Sequence, residues 1–211
     1  MPLLSTARSF GSLRVKTPLG LAGQRIGVMG GSFNPPHEGH QIVAETAMKR
    51  LGLDQVWWLV TPGNPLKSNG DLASLERRMA ACRQFARHPR MHVTAFEAEL
   101  GAPYTAVTMA FLQQRYPTVR FVWLMGADNL ASFHRWQSWR RIAQLMPIVV
   151  VDRPQWRFRA FASPAAGALS RLRVPEARAG TLPGNLHRRG WTLLSTRLSN
   201  ASSTAMRARR K

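Results

Sequence analysis

A chain of 211 residues, 45% of them hydrophobic, can bury a sizeable core, and ordinary domain sizes set one catalytic domain with at most a small appendage as the expectation. Its formal charge of +20 attracts nucleic acid, acidic membranes and small phosphorylated molecules alike, and so selects no partner by itself. The single cysteine, Cys82, excludes an intrachain disulfide framework and a multi-cysteine zinc site, and no apolar run approaches the ~20 residues that cross a bilayer; a soluble cytoplasmic protein is expected.

Residues 1–24 carry Arg8, Arg14 and Lys16, no acidic residue and no sustained apolar period. They are expected to form a flexible extension, although the composition also suits a targeting peptide, and the folded domain is expected over 25–211. Apolar runs suited to buried strands follow at 26–29, 56–60, 91–95, 121–125, 148–151 and 191–194. Helical spacing fills most of the gaps, at 39–51, 72–86, 105–115 and 136–145. Strands alternating with helices predict an α/β fold, a doubly wound parallel sheet in a single domain, with chemistry in loops that follow the strands. Residues 155–190, with Pro164, Pro175 and Pro183, lack a period and are expected to be a surface excursion rather than a second domain.

The first expected strand runs into Gly30-Gly31-Ser32-Phe33-Asn34-Pro35-Pro36-His37-Glu38-Gly39-His40. Gly30 and Gly31 clear side chains from a backbone that phosphate oxygens must approach, and permit backbone angles that aim successive N–H groups at an anion. Ser32 adds a hydroxyl, and the prolines stiffen the turn. The next helix is expected to offer unsatisfied N–H groups and its positive dipole end. His37 and His40, three residues apart, can share one side of that helix start and stabilise charge on a transferring phosphate. Two glycines after a strand, or an isolated His-x-x-His pair, carry little weight; the whole string is far more specific. It is neither the ATPase phosphate loop nor the dinucleotide fingerprint, and ligands for protein-bound zinc are missing.

The string resembles the Gly-Gly-x-Phe-x-Pro-x-His-x-Gly-His motif of the nucleotidylyltransferase superfamily, which implies a Rossmann-like sheet. Ser202-Ser203-Thr204-Ala205-Met206-Arg207 resembles that superfamily's second motif; read by itself it is equally an ordinary capped basic tail. Pro62-Gly63-Asn64-Pro65-Leu66-Lys67, Pro103-Tyr104-Thr105, and Gly126-Ala127-Asp128 followed by Trp136 are similar to the bacterial nicotinate-nucleotide adenylyltransferases. The resemblance runs from about residue 25 to 207.

That resemblance implies transfer of an adenylyl group from ATP to nicotinate mononucleotide, in NAD biosynthesis. It implies catalytic roles for His37, His40 and Arg207. ATP contacts are implied at Gly30, Gly31, Ser32, Phe33, Gly39, Gly126, Asp128, Ser202, Ser203 and Thr204. Mononucleotide contacts are implied at Lys67, Tyr104, Thr105, Trp136 and Gln137, with Trp136 stacked on the pyridine ring. Asp128 at a strand end could equally cap the next helix, and Trp136 could equally be core. Ser32, Asn34 and Gln137 depart from the commonest residues at their positions, which loosens the pyridine-pocket assignment. Magnesium is expected with ATP, held by substrate and water, with no protein ligand assigned. No nucleic-acid or membrane partner is expected, and a homo-oligomer is left open. The rivals are another acceptor, nicotinamide mononucleotide or phosphopantetheine, and a basic nucleic-acid-binding protein.

Overall fold

The computed structural model describes residues 15–63, 72–101, 104–184 and 189–197. All six expected strands form: β1 (Arg25–Gly31), β2 (Gln55–Val60), β3 (Met91–Thr94), β4 (Arg120–Gly126), β5 (Ile148–Val151) and β6 (Trp191–Leu194). They pair in parallel in the order β3-β2-β1-β4-β5-β6, so the winding direction reverses between β1 and β4. Parallel strands are covered on both faces, which is why they read in the sequence as continuous apolar runs. The period of two still divides them: Ile26, Val28 and Trp57 enter one core, Met29 and Trp58 the other.

The helices are α1 (Glu38–Leu51), α2 (Leu75–Phe85), α3 (Thr105–Arg115), α4 (Ala127–Ser132), α5 (Trp139–Leu145), α6 (Arg157–Phe161) and α7 (Pro164–Ala168). Met109, Phe111 and Leu112 of α3 pack with Ile142 of α5 in one core, while Val43, Ala44 and Ala47 of α1 pack with Cys82 of α2 in the other. Two helix starts differ from expectation. Ser74 accepts a bond from Arg77 N–H at 3.3 Å and so starts α2 three residues late. Trp136 is extended and Ser138 is left-handed at φ 55, so α5 begins only at Trp139. Among the described residues, no helix is long and apolar enough to cross a membrane.

The described residues of 155–184 are mostly exposed or part-exposed, as expected, but a set of small and apolar ones reaches inward. Ala160, Ala165 and Ala166 join one core and Ala179 and Leu182 the other. Small residues at irregular intervals bury well but give no readable period. At the opposite end of the chain, residues 15–24 are tied to the amino ends of the strands. Gly23 N–H donates to Thr118 O at 3.0 Å, Arg120 N–H to Gln24 O at 2.8 Å, and Gln55 Nε2 to Leu19 O at 3.1 Å. Residues 1–14 lie outside the described residues.

Candidate active site

The reversal between β1 and β4 leaves a crevice beyond the carboxyl ends of the strands, the place where open α/β sheets bind ligands. One wall is the loop from β1 to α1. A Cβ on Gly30 would lie 2.6 Å from the Trp123 ring, and one on Gly31 would lie 3.3 Å from Phe33. Neither glycine has positive φ; the left-handed residue of the loop is Phe33, at φ 46. Gly30 is therefore required first by packing on Trp123, a reason the sequence reading did not contain, while Gly31 is in tight contact with Phe33. Phe33 is 2% exposed, stacked on Trp58 at 5.5 Å and edge-on to His40 at 4.8 Å, so only its backbone is left for a ligand.

His37 and His40 do meet, with ring centroids 3.8 Å apart. Both rings are tied to the backbone of the turn: Gly39 N–H donates to His37 Nδ1 at 3.1 Å, and His37 N–H donates to His40 Nδ1 at 3.2 Å. The pair thus forms a capping box built from two histidines. The expectation of an open helix start is corrected accordingly, since two of the N–H groups are satisfied by the imidazoles themselves. A neutral imidazole that accepts through Nδ1 carries its proton on Nε2. Burial, with help from the Arg153 charge, lowers the His37 pKa to about 4, so at neutral pH this ring is an uncharged Nε2–H donor.

Arg153, on the loop after β5, is the site residue that the sequence reading missed. Its Nε lies 3.5 Å from Asp128 Oδ1, and a Cβ on Gly39 would lie 2.1 Å from its Nη1. A Cβ on Gly126 would lie 2.3 Å from Asp128 Oδ1 and 3.1 Å from Arg153 Nε. Gly39 and Gly126 therefore make room for a guanidinium that spans the crevice. Asp152 fixes its origin, accepting from Arg153 N–H at 2.8 Å and from Arg157 Nε at 2.7 Å. An arginine two positions after an apolar strand was the available signal, hidden among many other arginines. Asp128 lies inside the first turn of α4, whose cap is Gly126, so the capping alternative is not realised.

The residues assigned to the mononucleotide gather where α3 and α5 begin. Thr105 opens α3, and Tyr104 caps it through its carbonyl, which accepts from Val107 N–H at 2.9 Å. Beneath this turn the buried Glu97 accepts from Thr108 Oγ1 at 2.5 Å, and burial raises its pKa. Trp136 is half-buried, edge-on to Phe133 at 5.4 Å, and Trp139 meets the same ring at 5.9 Å; Gln137 is exposed. Trp136 is thus neither wholly core nor wholly free. Lys67, Ser202, Ser203, Thr204 and Arg207 lie outside the described residues. The described chain reaches Arg197, which pairs with Glu38 at 3.8 Å, while Thr196 bonds Thr46 at 2.7 Å.

A cytidylyltransferase-like family model matches residues 28–209. A protein of Agrobacterium fabrum named "Probable nicotinate-nucleotide adenylyltransferase" is 53% identical over 186 residues, covering 88% of this chain and 99% of the relative. One of Rhizobium meliloti with the same name is 55% identical over 185 residues, covering 87% and 97%. Among solved structures, the Plasmodium falciparum nicotinic acid mononucleotide adenylyltransferase complexed with NaAD superposes with a TM-score of 0.66 at 14% identity, covering 88% of this chain and 83% of the other. At that identity the superposition speaks for the fold alone.

Proposed function

Because this chain belongs to the cytidylyltransferase-like family and, within it, to the nicotinate-nucleotide adenylyltransferases, we propose that it transfers the adenylyl group of ATP to nicotinate mononucleotide, giving nicotinate adenine dinucleotide and pyrophosphate. The observation in this molecule that supports the reading best is the histidine pair at the start of α1. Both Nδ1 atoms are occupied by backbone N–H groups, and His37 is held neutral. Such a pair donates hydrogen bonds to phosphate oxygens and has no free ring nitrogen to serve as a base.

That chemistry suits this reaction. The attacking phosphate oxygen is already ionised at neutral pH, so no proton need be removed. It forms a bond to the α-phosphorus as the bond to the bridging oxygen of the β-phosphate breaks, and pyrophosphate leaves with the electron pair. Catalysis then rests on in-line placement and on donors aimed at developing charge. His37, His40 and Arg153 supply such donors from the described walls. Asp128, 36% exposed, would accept from a ribose hydroxyl at the far side.

Ser202, Ser203 and Thr204 would hold the distal phosphates, with Arg207 on the departing pyrophosphate. Ser202 lies five residues beyond Arg197, which is paired beside His37, and five residues span at most about 18 Å. Lys67 would meet the acceptor phosphate and Trp136 the pyridine ring, with Tyr104, Thr105 and Gln137 around its carboxylate. Among the described residues no three His, Cys, Asp or Glu form a metal cage. A magnesium ion brought in with ATP and held by its phosphates and water would neutralise phosphate charge.

The deciding experiment is pyrophosphate release with ATP and magnesium, comparing nicotinate mononucleotide, nicotinamide mononucleotide and phosphopantetheine, with products identified by mass. Preference for the nicotinate acceptor is expected. Turnover only with another acceptor would keep the fold and replace the substrate.

A further inference from the structure

Arg78, in the first turn of α2, is 3% exposed, yet its side chain forms no ion pair within 4 Å among the described residues. All its bonds run instead to carbonyl oxygens. Nη1 donates to Ser32 O at 2.8 Å and to Thr61 O at 2.7 Å, Nη2 to Pro62 O at 3.2 Å, and Nε to Ala73 O at 2.8 Å. A side chain of the same loop runs back the other way: Ala73 N–H donates to Asn34 Oδ1 at 3.3 Å. One guanidinium thus joins three backbone segments: the loop after β1, the loop after β2 and the approach to α2.

Burying a cation away from a carboxylate is costly, and the planar fork is what makes it tolerable, because its fixed N–H directions serve several carbonyls at once. Burial accordingly lowers the Arg78 pKa, though from a value high enough that the group stays charged at neutral pH. A trans peptide unit points its C=O and N–H in opposite directions. Gathering the carbonyls of Ser32 and Pro62 onto Arg78 therefore turns the N–H groups of Phe33 and Gly63 to the opposite side. It also takes three acceptor oxygens out of the region where phosphates would be repelled by them. The loop after β2 leads directly to Lys67.

We propose that Arg78 is a positioning residue that locks the ATP-side loop after β1 to the acceptor-side loop after β2, holding both with their carbonyls withdrawn from the phosphates. This rests on the adenylyl-transfer reading given above. A lysine keeps the charge but cannot reproduce the fork, so R78K separates charge from geometry. Because one residue ties both loops, R78K raises KM for ATP and for nicotinate mononucleotide together, each about tenfold, and lowers kcat as well. A residue belonging to one loop alone would move one KM only.

The test measures both KM values and kcat for wild type and R78K, with folding checked by circular dichroism and activity normalised to folded protein. It also measures ATP affinity by calorimetry without acceptor. Joint weakening of both substrates, with an ATP dissociation constant about tenfold higher, supports the proposal. Both KM values within twofold of wild type would overturn it, as would a change confined to one substrate or lost on normalisation. Guanidinium chloride at about 20 mM is expected to restore part of the activity of R78A but none to H40A, since only the first variant leaves a guanidinium-shaped cavity. If R78K does not fold, R78Q, which buries no charge and keeps one amide group for the carbonyls, decides by the same paired KM values, with no change in either overturning the proposal. A wild type inactive with nicotinate mononucleotide sinks the acceptor assignment alone, because the calorimetric comparison still judges Arg78.

Discussion

The two walls of the crevice are built differently. The wall after β1 is held by bonds to backbone: His37 and His40 cap each other's turn, and Arg78 gathers carbonyls from below. The opposite wall, after β4 and β5, is held by side-chain charge, chiefly the Arg153 to Asp128 contact at 3.5 Å, with Asp128 partly open to water. Short bonds to buried backbone leave the first wall few alternative arrangements. The contacting atoms, Arg153 Nε and Asp128 Oδ1, are buried yet meet only at 3.5 Å, too long for a good hydrogen bond, so little is lost when a ligand group replaces the contact. A donor set formed in advance thus faces a guanidinium and a carboxylate held by a looser contact.

The strongest way to break this contrast is at the rigid wall. H40A is expected to lower kcat by about 10²- to 10³-fold while the protein remains folded, because a donor aimed at developing charge is lost. Pyrophosphate-release kinetics on protein checked by circular dichroism measure it; a loss in KM alone would mean that His40 only binds. Titration sharpens the same point. The His37 pKa is lowered to about 4 in the fold, against about 6.5 when unfolded. Between those values the unfolded chain binds more protons, so its contribution to stability is whole above about pH 6.5 and is lost as pH falls toward 4, by up to about 3 kcal/mol. Denaturant midpoints against pH show this as a steeper acid loss in wild type than in H37Q.

A third variant asks what the paired glycines are for. If Gly30 is set by packing on Trp123, G30A costs about 1–3 kcal/mol of stability through overpacking, read as a fall in thermal midpoint. If its purpose were phosphate approach alone, stability would hold and only the ATP constants would move. The smallest effect is expected where the first wall meets the adjustable Arg153. In G39A the new methyl meets the far end of Arg153 at 2.1 Å, a flexible group that can swing away, and touches His37 Cε1 at 3.0 Å. Stability is expected to change by less than about 1 kcal/mol, while KM for ATP rises a few-fold. A larger stability loss than in G30A would reverse the assignment of rigid and adjustable walls.

How much of this was legible depended on how far apart in the chain the cooperating residues stand. The six strands could be read because strands covered on both faces leave uninterrupted apolar runs, as at Val56–Val60 and Ile148–Val151. The core positions of 155–190 could not, since Ala160, Ala179 and Leu182 bury without any regular spacing. The histidine pair was visible because its members are three residues apart on one helix turn. That Gly39 N–H would occupy the Nδ1 of His37, and His37 N–H that of His40, depended on the extended backbone of His37, which no motif announces.

By itself the amino-acid order determined the alternation of strands and helices, the position of the cradle at the end of the first strand, and through its motifs the family. Those are properties of contiguous segments, set by side-chain period and by backbone freedom over a few residues. Only the tertiary structure brought out Arg153 and Arg78 among the many arginines. Arg153 reaches Gly39 and Asp128, and Arg78 reaches Ser32 and Thr61, across loops that meet solely because the parallel sheet brings its carboxyl ends together. Charge acts through space over a few ångströms, and the order of residues along the chain does not measure that distance.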